Sequence, residues 1–161
     1  MSVSELSTST QNYLKAIWGL KEWSSEPVTA TLIAKQLGLK LSSVSDAVRK
    51  MAKQGLVSHT PYGSVELTEL GRQYALVMVR RHRLLESFLA QALDYTWDEV
   101  HDEAENLEHA VSDMLIERVD KFLDYPTRDP HGDPIPTVDG QITIPSAHRL
   151  TDSGAQSRVT V

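Results

Sequence analysis

Between His101 and His109 the sequence reads H-D-E-A-E-N-L-E-H. Wound as an α-helix at about 100° per residue, His101, Glu105, Glu108 and His109 fall on one arc. Val100, Ala104, Leu107, Val111 and Leu115 fall on the neighbouring arc, as a core-facing stripe does. Two imidazoles and two carboxylates beside a buried face, at i, i+4, i+7 and i+8, are nitrogen and oxygen donors of the kind divalent first-row metals take. The same run also describes an acidic, solvated helix face. A second segment, Arg80-Arg81-His82-Arg83-Leu84-Leu85-Glu86, sets His82 and Glu86 at i, i+4 on another amphipathic stretch. One such pair alone is most simply a surface contact, but two helices offering the same donors is how bundles build metal sites. A di-metal carboxylate enzyme would want two Glu-x-x-His motifs. Asn106 opens Asn106-Leu107-Glu108-His109 and Val79 stands three residues before His82, so that pattern fails. With no Ser/His/Asp arrangement and no phosphate-cradling glycine loop, an enzyme is not expected.

The elements that must position these donors are mostly helical. A cap among Ser7, Thr8, Ser9 and Thr10 follows a polar, mobile lead. It opens a helix to about Trp23 with Tyr13, Leu14, Ile17, Trp18 and Leu20 on its apolar side. Thr29 caps a second helix with Leu32, Ile33 and Leu37 inward, ended by Gly38. Ser42 or Ser43 caps a third, with Val44, Val48 and Met51 inward, stopped by Gly55. Ala34, then Gly38, then Val44 is the spacing of a helix-turn-helix: a small residue for close approach, a glycine for the turn, a valine to pack the second helix on the first. An ordinary helical hairpin is the alternative. Leu56–Thr60 and Ser64–Leu67 read as strands around the Pro61-Tyr62-Gly63 turn, which makes a wing. Thr68 caps a long helix, Glu69 to Leu93, whose apolar side includes Tyr74, Leu84, Leu85, Phe88 and Ala92. Thr96 caps one more, running to about Leu123. Pro126, Pro130, Pro134, Pro136 and Pro145 then enforce loop. The expected fold is mainly α: a winged helix-turn-helix DNA-binding domain over 1–73, a helical metal-binding and dimerisation domain over 74–145, and a tail over 146–161.

The composition narrows the partners. In 161 residues, 40% are apolar, enough for a core, and no apolar run is long enough to span a bilayer. The polar, Ser/Thr-rich start is unlike a signal peptide, and a cytoplasmic protein is expected. The absence of cysteine excludes disulfides, thiolate metal sites and thiol catalysis. Residues 1–75 carry a surplus of +2 and residues 76–161 one of −8. The front half suits a polyanion and the back half cations.

The order of winged helix-turn-helix, R-R-H-R-L-L-E, V-H-D-E-A-E-x-L-E-H-A-V-S-D and D-P-H-G-D-P-I-P resembles the diphtheria-toxin-repressor family of iron- and manganese-dependent transcription repressors, above all its manganese-regulator branch. The resemblance covers about residues 8–140. It implies a homodimer that binds palindromic operator DNA when loaded with Mn2+ or Fe2+. It implies a primary metal site from Glu105, Glu108 and His109, with a first-helix ligand at Asn12. It implies an ancillary site from His82, Glu86 and His101. On the DNA side it puts Lys40, Ser42 and Asp46 at base-facing positions and Ser43, Ser45, Lys50 and Lys53 at backbone-facing ones. Two departures stand out. The family has Met or Asp where this chain has Asn12, and Arg149 to Val161 resembles only the opening of an SH3-like domain, with Arg158-Val159-Thr160-Val161 starting a strand. Iron-type members carry Cys where this chain has Glu105, and a harder carboxylate ligand suits Mn(II). The competing expectation is a winged-helix regulator that senses a small organic ligand, its His/Glu face merely structural.

Overall fold

The computed structural model describes residues 2–61 and 63–143. Tyr62 of the expected turn, Pro145, and the expected 146–161 tail with its strand lie outside the described residues. The elements are α1 (Thr8–Glu22), α2 (Ala30–Leu37), α3 (Leu41–Lys53), β1 (Val57–His59), β2 (Val65–Leu67), α4 (Glu69–Leu93), α5 (Val100–Leu107) and α6 (Asp113–Phe122).

Local capping explains most boundaries. Ser7, Thr29 and Thr68 take extended backbone, and their hydroxyls accept from Thr10 N, Leu32 N and Gly71 N, which satisfies donors the helix leaves free. Gly38 ends α2 in the left-handed region at φ 65°, and Leu39 N donates back to Ala34 O. The chain re-enters helix at once. Lys40, not Ser42 or Ser43, is therefore the extended residue before α3, and it makes no side-chain cap bond. That entry turns Val44, Val48 and Met51 inward, all fully or almost fully buried. Leu32, expected inward, remains 39% exposed.

The wing is a short antiparallel pair, Val57↔Leu67, Ser58↔Glu66 and His59↔Val65, with the first strand trimmed at both ends and the second at its start relative to the expected strands. Val65 N also donates to Val28 O at 2.7 Å, which fastens the wing to the α1–α2 connection. Gly71 explains how α4 can start so close to the end of α3. A Cβ there would lie 1.9 Å from Leu56 O, so only glycine fits. The lead is not mobile throughout: Val3–Glu5 forms one helical turn, and Val3 and Leu6 are buried.

The expected single helix from Thr96 to Leu123 is instead two. Thr96 opens a turn whose carbonyl accepts from Glu99 N and Val100 N, and Glu99 is the residue before α5. At the far end Leu107 O accepts from both Ala110 N and Val111 N, and the helix stops. Ser112 goes extended, its Oγ accepts from Leu115 N at 3.2 Å, and Asp113 enters the first turn of α6. Ser-Asp is a helix-start signal that the continuing apolar period hides. The break rotates α6 out of the register of α5, so Leu115 ends up 46% exposed. Ala92, beyond the last core contact of α4, is exposed as well.

Two apolar cores share α4. One joins α1, α2, α3 and the wing to the helix as far as Val79, and the other joins Leu84 onward to α5, α6 and Ile135. Between them α4 presents Arg80, Arg81, His82 and Arg83. The last three are buried, and buried guanidinium groups need partners. Arg80 pairs with Asp120 (2.7 Å), Arg81 with Asp113 (2.8 Å) and Arg83 with Glu22 (2.6 Å). The proline-rich loop is ordered by Asp129, whose Oδ1 accepts from His131 N and Asp133 N, both at 2.9 Å.

Candidate metal centre and nucleic-acid surface

The polar stretch of α4 meets the C-terminal end of α5 and the side of α1. The break after Leu107 leaves Glu108 as the residue that caps the end of α5, turned inward and with no exposed surface. Beside the core was the sequence expectation; full burial is the finding. Glu108 Oε2 accepts from His82 Nδ1 at 2.5 Å and Oε1 accepts from Lys15 Nζ at 2.7 Å. Lys15 also donates to Glu105, whose carboxylate lies 3.9 Å from His82 Nδ1. On the other side of the imidazole, His82 Nε2 lies 3.0 Å from Glu86 Oε1 and 3.2 Å from His101 Nδ1.

Two donor sets result, His82–Glu86–His101 and His82–Glu105–Glu108, each with ligand-type atoms within 4.8 Å of one another. The sequence expectation kept His82 apart from Glu105 and Glu108; in the fold its ring stands between both sets. His109 lies at the edge. Gln11 Nε2 donates to Val3 O and Leu6 O, which leaves Gln11 Oε1 to accept from His109 Nδ1 at 2.6 Å. The hydrogen on Nδ1 leaves the Nε2 lone pair free, 3.7 Å from Glu108 Oε1. Asn12 lines a cleft of about 750 Å3 together with Lys15, His82, Glu86, His101 and Glu105, and its Oδ1 is buried without a hydrogen-bond partner. A buried carbonyl oxygen left unpaired is unusual and calls for a ligand. The donor chemistry and this orphaned oxygen both fit a divalent cation.

The electrostatics are those of a cation site. Burial disfavours charge on His82, but hydrogen bonds to Glu108 and Glu86 outweigh it and hold the imidazole up at about 9. Burial is the largest influence on Glu86 and Glu105 and raises both, but their cationic neighbours together outweigh it and hold both carboxyls below the ordinary value: His82, His131 and His101 for Glu86, and Lys15, His82 and His101 for Glu105. The carboxyl-terminal end of α5 adds the negative end of the helix dipole.

Four participants were missing from the sequence expectation. Lys15 and Gln11 stand on α1 within four residues of Asn12, and helical spacing alone could have joined them. His131 comes from the D-P-H-G-D-P turn; its Nε2 lies 3.7 Å from Glu86 Oε1 and its ring packs edge-on against Trp97. Arg49 is the fourth. Just before α3, Lys40 is exposed; on α3, Ser42, Ser43, Asp46, Lys50 and Lys53 are exposed and Ser45 is half-buried. Arg49 pairs with Asp46 on that exposed stripe.

Two family models match this chain. The iron dependent repressor N-terminal DNA binding domain matches residues 5–65, and the iron dependent repressor metal binding and dimerisation domain matches residues 68–137. The iron-dependent repressor IdeR of Mycobacterium tuberculosis is 38% identical over 134 residues, which are 83% of this chain and 58% of that protein. The diphtheria toxin repressor of Corynebacterium glutamicum is 36% identical over 155 residues, 96% of this chain and 67% of that protein. Among solved structures, a manganese-dependent transcriptional repressor in complex with manganese superposes with a TM-score of 0.85 at 54% identity, over 90% of this chain and 66% of that one. The manganese regulator SloR superposes with a TM-score of 0.73 at 42% identity, over 83% of this chain and 61% of that one. The chain thus spans about three fifths of the length of the first curated relatives it matches, 58%. With both of its units matched in order, it belongs to the iron-dependent repressor family that includes the diphtheria toxin repressor.

Proposed function

We propose that this protein is a divalent-metal-dependent transcriptional repressor that binds palindromic operator DNA as a dimer, with Mn2+ as its metal and Fe2+ as the second choice. The carrying observation is the convergence of two His/Glu donor sets on the seam between the winged helix-turn-helix and the helical unit. An ion held there by α5 and by Asn12 of α1 ties the DNA-binding half to the other half, and so fixes how the recognition helices are presented. Glu105, Glu108, His109 and Asn12 would hold the primary ion. His82, Glu86 and His101 would hold an ancillary one, with His131 within reach of Glu86. The ion supplies charge and directional coordination; the carboxylates of this chain supply hard ligands suited to Mn(II). Gln11 orients His109 by accepting its Nδ1 hydrogen, which fixes the ring and the tautomer that can ligate.

On the DNA side, residues 1–73 form the binding unit, α3 entering the major groove. Ser42, Asp46 and Lys40 face bases, while Ser43, Ser45, Lys50 and Lys53 meet the backbone, where lysines neutralise phosphate without reading sequence. Residues 74–145 carry metal and dimer contacts. Leu93, Trp97, Met114, Leu115, Phe122 and Tyr125 are exposed there, an apolar surface that a second copy would cover. The organic-ligand alternative finds no support: the relatives are named as iron- or manganese-dependent repressors, and His82, Glu86, His101 and Glu105 converge in the cleft beside apolar residues such as Trp18 and Leu37. No helix among the described residues is long and apolar enough to cross a membrane.

Selection of duplexes from a random library in Mn(II), followed by binding of the selected duplex in Mn(II), Fe(II) and EDTA, tests the proposal. Binding should be strong with Mn(II) and lost in EDTA. Equal binding in both would overturn it.

A further inference from the structure

Glu108 is completely buried and both of its carboxylate oxygens are engaged. Oε2 is held by His82, and Oε1 by Lys15 at 2.7 Å. Lys15 Nζ also donates to Glu105 Oε1, so one ammonium sits between the two carboxylates of α5. Its side chain is only 17% exposed. A divalent ion liganded by both Glu105 and Glu108 would meet the ammonium, which holds one oxygen of each. Two like charges cannot share so small a volume in a partly dry site, where Coulomb repulsion is weakly screened. Asn12, three residues earlier and on the same side of α1, carries the unpartnered Oδ1.

We propose that Lys15 is an internal competitor for the metal: its ammonium occupies the Glu105–Glu108 pair, must leave for a divalent cation to enter, and so sets the metal concentration at which the protein responds. This rests on the metal-dependent function proposed for the chain and adds a residue that determines affinity. The exchange keeps α1 tied to α5 in both states, through Lys15 without metal and through Asn12 with it. The contact moves by nearly one helical turn along α1, and that shift is what the DNA-binding half would feel. A salt link of this kind also keeps an anionic cleft closed when metal is scarce, which opposes binding of ions present at low concentration.

Two measurements on the full chain test this. Mn(II) affinity of wild type, Lys15→Met and Lys15→Gln, read from free Mn(II) by electron paramagnetic resonance, should be tighter in both variants, on the order of tenfold, the scale on which partners of metal ligands act. Acylation of Lys15 by an amine-specific reagent, followed by peptide mass spectrometry, uses only wild-type protein and does not depend on any variant folding. Lys15 should be protected in chelator-treated protein and labelled several-fold faster with saturating Mn(II). Wild-type or weaker affinity in both variants, or labelling unchanged by Mn(II), would overturn the competitor role alone. A wild-type chain that takes up no Mn(II) would overturn the metal-dependent function and this proposal together.

Discussion

Around α1, α2, α3 and the wing, the large apolar side chains left exposed are scattered leucines, Leu32, Leu39, Leu41 and Leu70, at 39–50%. In the helical half they include three aromatics and, Val138 apart, cluster by element: Leu93 and Trp97 at the end of α4 and beyond it, Met114, Leu115 and Phe122 on α6, and Tyr125 just after. Trp97 and Phe122 are 67% and 66% exposed. Burying one such side chain is worth roughly 1.5–3 kcal/mol, so the second half leaves substantial stabilisation unrealised as a single copy. The first half closes over its own core. The joint between them adds charge to the apolar packing along α4: Lys15 pairs with Glu105 and Glu108, and Arg83 with Glu22. Apolar packing sets the shape of each half and carries the first onto α4, while the ion pairs between the halves are what a metal ion can change.

The largest expected break lies in the self-sufficient half. Gly71→Ala puts a methyl against Leu56 O, a backbone atom that cannot step aside, and should destabilise by about 3 kcal/mol. Urea unfolding should give a clearly lower midpoint; a wild-type midpoint would mean that α4 and the end of α3 are not in this contact.

The unfinished half is tested by Phe122→Asp. A charge in the exposed apolar surface should weaken self-association by about 2 kcal/mol or more if Phe122 is central to the interface. Sedimentation should find monomer at micromolar concentration with helix content kept. An unchanged dimer would exclude this face.

The joint is sharpened by Asn12. Asn12→Asp adds a carboxylate where the orphaned oxygen sits and should lower the Mn(II) midpoint for DNA binding, and Asn12→Ala should raise it. Coupling between sites is typically about 1–3 kcal/mol, so roughly fivefold or more is expected each way. Midpoints that do not move would remove Asn12 from the site.

The smallest effect is on pH. His82 stands at about 9 against an ordinary 6.5. A pKa raised in the folded state contributes stability fully present below 6.5 and lost as pH rises through 9. Chelator-treated protein should therefore lose stability across that window. Mn(II), which needs neutral imidazole, should bind more tightly over the same window and release protons on binding. Calorimetry of Mn(II) binding in two buffers of different ionisation heat should detect those protons near neutral pH; none released would contradict a charged His82.

Much of this architecture is local in origin, which is why the sequence alone determined it. Ser7, Thr29, Gly38 and Thr68 cap helices through bonds to residues three to five positions away. The Val44–Val48–Met51 stripe and the short wing come from periodicity over a few residues. The donor types and their spacing in H-D-E-A-E-N-L-E-H and R-R-H-R-L-L-E were equally legible. The break between α5 and α6 was encoded at Ser112-Asp113, but the apolar period runs through it, so only the folded chain decided that Glu108 turns inward and Leu115 outward. Tertiary structure alone put His82 between two donor sets and Lys15 on Glu105 and Glu108, contacts made 26, 90 and 93 residues apart. No spacing rule reaches that far, because such contacts depend on how helices pack and not on how each one winds.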